Sequence, residues 1–168
     1  GTPSFLVDGT ILFNSIVLDI TQEAKNEMLL EEASKIARLG SWEMDVLNER
    51  EDGMYWSPII WDILELDKNY DPSLTGLIEL QIGESKTLTE RAINRLIQDG
   101  VEFEEELLLI TGKGNKCWVK ASGKSERINN VCVKIYGSFQ DITERKNTEL
   151  KIVQSEQEYR ALAFQLQL

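Results

Sequence analysis

The feature that most constrains the fold is a set of three strand-like segments at 101–110, 117–126 and 131–142, with only short turn-like breaks between them. Apolar and polar side chains alternate along each, the period-two pattern of a sheet with one buried face. The breaks, Gly112-Lys113-Gly114 and Ile128-Asn129-Asn130, carry residues suited to tight hairpins. Strands joined this way pair antiparallel. Two further strands are expected at 41–47, where Trp42, Met44 and Val46 alternate with Glu43 and Asp45, and at 54–57 after an Asp52-Gly53 turn. Helix signals lie between the two sets. Pro58 suits the first turn of a helix over 59–66. Leu88, Ala92, Ile93, Leu96 and Ile97 mark a helix over 87–98 that Gly100 stops. Residues 67–84 hold Asn69, Asp71, Pro72, Gly76 and Gly83 and predict short helices and loops. Two strands, several helices, then three strands predict an α+β fold: a five-stranded antiparallel sheet with helices on one face.

The tripeptide Asp-Ile-Thr occurs twice, at Asp19-Ile20-Thr21 and Asp141-Ile142-Thr143, 122 residues apart. Ile11, Phe13 and Val17 precede the first copy at the offsets that Val133, Ile135 and Phe139 hold before the second. A charged stretch free of Gly and Pro follows each copy. The repeat predicts a strand, then Asp-Ile-Thr, then a helix, twice. Asp19 with Gln22, and Asp141 with Glu144, have the spacing of a capping box, and Thr21 or Thr143 is the alternative cap.

Composition removes several functions. The chain of 168 residues has no histidine, so it offers no histidine triad, histidine-ligated metal or haem, or phospho-accepting histidine. A formal charge of −11 disfavours a phosphate-tracking surface, so no nucleic-acid partner is expected. No apolar run approaches membrane-spanning length and no signal peptide is visible, which predicts a cytoplasmic setting without direct membrane contact. Cys117 and Cys132 have neither metal spacing nor a CxxC motif and read as buried, reduced thiols. Glu102, Glu104 and Glu106 share one face of their strand and read as solvated charges, not a metal site.

Several segments together resemble the PAS family of sensor domains, in the form of a PAS/PAC module of the fold-3 type. They are Arg38-Leu39-Gly40-Ser41-Trp42-Glu43, Tyr55-Trp56-Ser57, Ile63-Leu64-Glu65-Leu66 and the acidic strand ahead of Gly112-Lys113-Gly114. The most specific is Gly137-Ser138-Phe139-Gln140-Asp141-Ile142-Thr143-Glu144-Arg145-Lys146, similar to the family's strand-to-output-helix signature. Ile82-Gly83-Glu84-Ser85 departs from the family's usual His-Pro-Asp-Asp stretch. The resemblance covers about residues 36–143. It implies a complete PAS domain at 38–143, the last strands of a preceding PAS domain at 1–21, and a linker helix at 22–37. It implies a signalling helix at 144–168 that leads to a following domain.

What the resemblance implies for function is a non-catalytic sensor and relay module of a bacterial signalling protein, with a histidine kinase as the expected parent. Asp141, Ile142, Thr143 and Glu144 would couple the sheet to the output helix. Trp42, Met44, Trp56, Ile60, Leu64, Val119 and Ile135 would line an interior pocket. Family members that hold haem mostly use histidine, and the light-sensing flavin members use a cysteine in an Asn-Cys-Arg context. Neither is present here, so no cofactor is predicted, and an unidentified small ligand or an empty interior remain open. The four tryptophans also suit ordinary core. Alternatives are a structural dimerisation or spacer domain without ligand, and the sensor module of a cyclic-dinucleotide synthase or phosphodiesterase. The helix at 144–168 carries no formal net charge. It shows one apolar stripe through Leu150, Val153, Gln157, Ala161 and Phe164 and a second through Ile152, Tyr159, Leu162 and Leu166. A parallel homodimer through the linker helices is expected, beside the neighbouring PAS and output domains.

Overall fold

A computed structural model describes residues 9–47 and 54–167, with side chains from Thr21 onward. Its contacts divide the chain into two units, one ending at Ala37 and one beginning at Arg38.

The described residues of the first unit form one helix, α1 (Gly9–Ala37). This corrects the expected strand ending at the first Asp-Ile-Thr, because residues 9–21 are helical and run unbroken into 22–37. The physical reason is pairing. A strand needs a neighbouring strand to satisfy its N–H and C=O groups, whereas a helix satisfies them within itself. The apolar residues do not oppose this, since Phe13, Val17 and Ile20 stand at i, i+4 and i+7. Asp52 and Gly53 of the expected turn before β2 (Met54–Trp56) lie outside the described residues.

The second unit holds one antiparallel sheet in the order β2-β1-β5-β4-β3. Its strands are β1 (Leu39–Asp45), β2 (Met54–Trp56), β3 (Phe103–Ile110), β4 (Lys116–Ile128) and β5 (Val131–Asp141). The predicted α+β architecture is present. β4 and β5 are joined by Asn129 and Asn130, both with positive φ (49° and 69°), so the hairpin is a two-residue turn that asparagine tolerates better than most residues. The β3–β4 turn closes through Thr111 N–H to Asn115 O at 2.8 Å. Its Gly114 takes φ 86°.

Helices α2 (Pro58–Leu64), α3 (Leu74–Leu80) and α4 (Ser85–Asp99) cover one face of the sheet. Pro58 opens α2 as its sequence position predicts. Gly100, at φ 71°, ends α4. Ile60, Ile63, Leu64, Leu77, Ile93 and Leu96 from the helices meet Trp42, Leu107, Leu109, Val119, Ile135 and Phe139 from the strands. At about 2 kcal/mol per fully buried large side chain, this cluster is the main source of cohesion. The strand edge at β3 is also covered: Gln81 bridges to Leu109, Ile82 N–H reaches Leu108 O, and Leu108 N–H reaches Ser85 Oγ. Edge groups that would otherwise recruit another chain are thereby met.

α5 (Thr143–Leu166) leaves the end of β5. Only its first turn is partly buried, and the rest is exposed on all sides. Among the described residues, no helix is long and apolar enough to cross a membrane.

Candidate functional site

The four residues expected to couple sheet and helix are brought together at the β5–α5 junction, where Asp141 and Thr143 are held by several hydrogen bonds. Asp141 is the hub. Its Oδ2 accepts from Arg38 Nε at 2.8 Å, while Oδ1 accepts from the Thr143 N–H at 2.9 Å. The backbones repeat the connection, with Asp141 N–H donating to Arg38 O at 3.1 Å. Thr143 Oγ1 accepts from Trp118 N–H at 3.0 Å, and Ile142 N–H donates to Trp118 O at 2.8 Å. Ile142 itself is buried. The last peptide of β5 is thus tied to β1 on one side and β4 on the other.

The expected capping box is not the form this junction takes. The helix begins at Thr143 with Ile142 as the flanking residue, which puts Glu144 at the second helical position, not the third. From there it cannot be the back-reaching member of a box. Glu144 instead adds an acidic group to the first turn, where it favours the helix dipole. Asp141 supplies the cap from one residue further out.

Electrostatics follow from these contacts. Burial pushes the Asp141 carboxyl upward, but the two hydrogen bonds from Thr143 and the Arg38 guanidinium outweigh it and hold the group below its usual range. Cys117, beside Thr143 and Asp141, has its thiol pushed up to about 11, chiefly by burial. It is a poor nucleophile in this state.

A second set of contacts fastens the first turn of α5 to β3. Glu106 receives Arg145 Nη2 at 2.5 Å and also pairs with Lys146. The Lys146 and Arg145 hydrogen bonds hold the Glu106 carboxyl below its usual range. Lys146 Nζ also lies 5.2 Å from the centroid of the Trp118 ring. Glu104 pairs with Lys120 and Glu102 with Lys124. The acidic run, whose Glu102 and Glu104 side chains are exposed to solvent as expected, is also matched by bases on the neighbouring strand and helix. An open groove of about 660 Å³ runs along this junction, with Lys120, Gln140, Asp141, Arg145, Thr148 and Glu149 among its walls.

Sequence reasoning gave Arg38, Trp118, Glu106, Arg145 and Lys146 no role at this junction. The available signal was the basic pair directly after Asp-Ile-Thr and the acidic strand elsewhere, but nothing local says that they meet.

The residues expected around a pocket lie on the opposite, helix-covered face. Trp42, Trp56, Ile60, Leu64, Val119 and Ile135 are buried members of the core, and Met44 packs against it partly buried. Trp42 Nε1–H donates to Ser138 O at 3.3 Å. Trp56 meets Trp61 edge-on and stacks with Tyr70, at centroid distances of 5.5 and 6.0 Å. Trp118 is different. It points to the outer face beneath Lys146, so it belongs to the helix junction and not to the interior. Gln81 is buried to 1% exposure; its Oε1 accepts from Thr89 Oγ1 at 2.8 Å, while Nε2 has no partner among the described residues. No group of three or more metal-ligating side chains occurs among the described residues.

No protein-family model matches the chain, and no curated protein matches it. Solved structures do. The chain is similar to a sensory box histidine kinase/response regulator from Burkholderia thailandensis, at 20% identity and TM-score 0.62, covering 79% of this chain and 98% of that one. It is similar to the N-terminal domain of a diguanylate cyclase with PAS/PAC sensor from Marinobacter aquaeolei, at 15% identity and TM-score 0.57, over 64% of this chain and 98% of that one. It is also similar to the PAS domain of a protein from Colwellia psychrerythraea, at 16% identity and TM-score 0.52, over 74% and 98%. The fold is the PAS fold.

Proposed function

We propose that this chain is a non-catalytic sensor and relay module of a bacterial signal-transduction protein, with a sensor histidine kinase as the parent, in which the β5–α5 junction passes a change in the sheet to α5. The observation that carries this reading is the division of the Asp141 carboxylate. One oxygen holds Arg38 at the start of the domain and the other holds the first N–H of the output helix. A displacement of β1 or β5 then alters how α5 is held, provided that two arrangements of the junction exist. Likeness to domains from a histidine kinase and a diguanylate cyclase supports a signalling setting for either kind of output. In this reading α5 leads on to a following domain, and the parent works as a dimer through its flanking helices. Two free buried thiols suit a reducing, cytoplasmic compartment.

The deciding experiment places Asp141→Ala and the milder Asp141→Asn in the full-length parent and measures output activity with and without stimulus. Loss or locking of the response with the domain still folded supports the relay. An unchanged basal output and an unchanged response in Asp141→Ala reject it.

One observation favours an interior ligand over a purely structural spacer. The unmatched Gln81 Nε2 donor is buried beside β3 and α4, and an unmet buried polar group costs about 1–3 kcal/mol. A small molecule or water with an acceptor oxygen would meet it. Native mass spectrometry and an absorption spectrum of the purified chain test this directly: a retained molecule supports sensing by binding, and its absence favours relay or spacing.

A further inference from the structure

The cover over the β3 edge reaches Leu108 and Leu109 and stops there. Leu108 turns both its backbone groups outward: its N–H donates to Ser85 Oγ at 2.9 Å, and its O accepts from Ile82 N–H at 3.0 Å. The β3–β4 register runs unbroken from Phe103 to Ile110. Residues of an antiparallel ladder alternate between bonding their neighbour and turning away from it, so Glu104 and Glu106 also turn their N–H and C=O groups away from β4. Among the described residues nothing meets those groups. They form a short stretch of unpaired strand edge.

The path of α4 explains the gap. The helix begins at the edge, where Ser85 takes up the Leu108 N–H. It ends over β4, where Arg127 Nη1 donates to Ile97 O at 2.8 Å and Nη2 to Gln98 O at 3.2 Å. It therefore crosses β3 obliquely and leaves a groove of about 290 Å³ beside the first half of the strand. Leu88, Ala92, Val101 and Phe103 give the groove apolar surface, and Arg91 and Arg95 stand along it one helical turn apart. Both arginines are exposed and without an ion pair among the described residues. On the strand side, Glu102 is paired with Lys124 and Glu104 with Lys120, which leaves Glu105 alone against two guanidiniums.

Charge decides which strand fits. A second copy of β3 laid antiparallel about Glu105 would set Glu104 against Glu106, and like charges directly opposite each other destabilise a strand pair. A segment with small neutral side chains on that face avoids the repulsion. Its other face turns toward α4. There, side chains two residues apart stand about 7 Å apart, within reach of two arginines about 5 Å apart along the helix.

We propose that the Glu104–Glu106 edge of β3 takes an extended segment of a partner protein as an added antiparallel strand. Two carboxylates of that segment, two residues apart on its inward face, pair with Arg91 and Arg95, and apolar side chains flanking them sit on the groove floor. The inference goes beyond the relay reading and does not use the Asp141 hub.

The test titrates the 168-residue chain into a fluorescent, amidated peptide, Thr-Val-Thr-Asp-Thr-Asp-Thr-Val-Thr, and follows anisotropy at low salt. The sequence reads the same in both directions, so only its register and its faces matter. The peptide with lysines in place of the aspartates is the control, and the chain's net charge of −11 favours that control everywhere except at the two arginines. Saturable binding of the aspartate peptide is expected, about tenfold tighter than of the lysine peptide. Arg91→Glu with Arg95→Glu, on an exposed helix face and checked by its melting curve, is expected to reverse that preference. N-methylation of the three central threonines, which removes the donors facing Glu104 and Glu106, is expected to abolish binding. No saturable binding below about 1 mM overturns the proposal, as does equal or stronger binding of the lysine peptide, or an N-methylated peptide that binds as well. A dimer in sedimentation that the arginine reversal disperses would give the edge to a second copy and overturn it too.

Discussion

Replacing Asp141 with alanine should loosen the first turn of α5 before it unfolds the domain. The side chain makes two separable contributions. Its bond to the Thr143 N–H is a helix cap, worth about 1 kcal/mol. Its pair with Arg38, whose side chain is 47% exposed, is worth roughly 0.2–1 kcal/mol after solvent screening. Together they give a loss of about 1–2 kcal/mol, which in a domain of this size lowers the melting temperature by roughly 3–10 °C. Asp141→Asn retains an acceptor for Thr143 and should lose only the smaller, charged part. A double-mutant cycle with Arg38→Gln should return a coupling within the ion-pair range. Hydrogen exchange adds location: the Thr143 and Lys146 amides, bonded to Asp141 Oδ1 and Ile142 O, should exchange faster while amides in the middle of β4 stay protected. The sign with pH is fixed as well. The Asp141 carboxyl is depressed below its ordinary value of 3.8, so its contribution is fully present above that value and fades as pH falls through the lower folded value. The wild type should therefore lose its advantage over Asp141→Asn in acid. If Asp141→Ala melts within a degree of wild type, with first-turn amides equally protected, the carboxylate does not hold the junction.

Leu96, fully buried in the last turn of α4, should cost about 3 kcal/mol when cut to alanine, read as a lower denaturant midpoint at unchanged slope; a loss below 1 kcal/mol would mean the core is not packed as described. A methyl group on Gly137 would sit 1.7 Å from the backbone oxygen of Ser122, so Gly137→Ala should break the β4–β5 ladder there and cut the yield of folded protein, and a wild-type melting curve would contradict the close approach. Cys117, with its thiol raised from 9.0 to about 11, should present about 100-fold less thiolate at pH 8 than an ordinary cysteine; alkylation at a normal rate in the folded state would show that the site opens. Glu65 closes the turn after β3 by accepting from Thr111 Oγ1 and Asn115 Nδ2, and these bonds, Thr111 first, keep its carboxyl below the usual range. Glu65→Gln should speed exchange of the Asn115 amide; unchanged exchange would leave the clasp without effect.

The sequence by itself determined the order of elements from Arg38 onward, because period-two and period-3.6 patterns record which side of each element meets the core. It marked the turns through Asn129, Asn130 and Gly114 and the stop at Gly100, since backbone limits on φ are local. It also placed Asp141 and Thr143 at a strand-to-helix transition. It misjudged residues 9–21, where Phe13 and Val17, four apart, satisfy both periods, because a strand exists only if another strand lies beside it. Only the tertiary structure decided the partners. Arg38 and Asp141 are 103 residues apart, and Glu106 reaches Arg145 across 39. Trp118 looks like the other tryptophans in composition yet faces away from the core, because its neighbours Cys117 and Val119 hold the inward positions on β4. Hydrophobic periodicity is written residue by residue, whereas the contacts that turn Asp141 into a hub are made by segments that meet only after the sheet has closed.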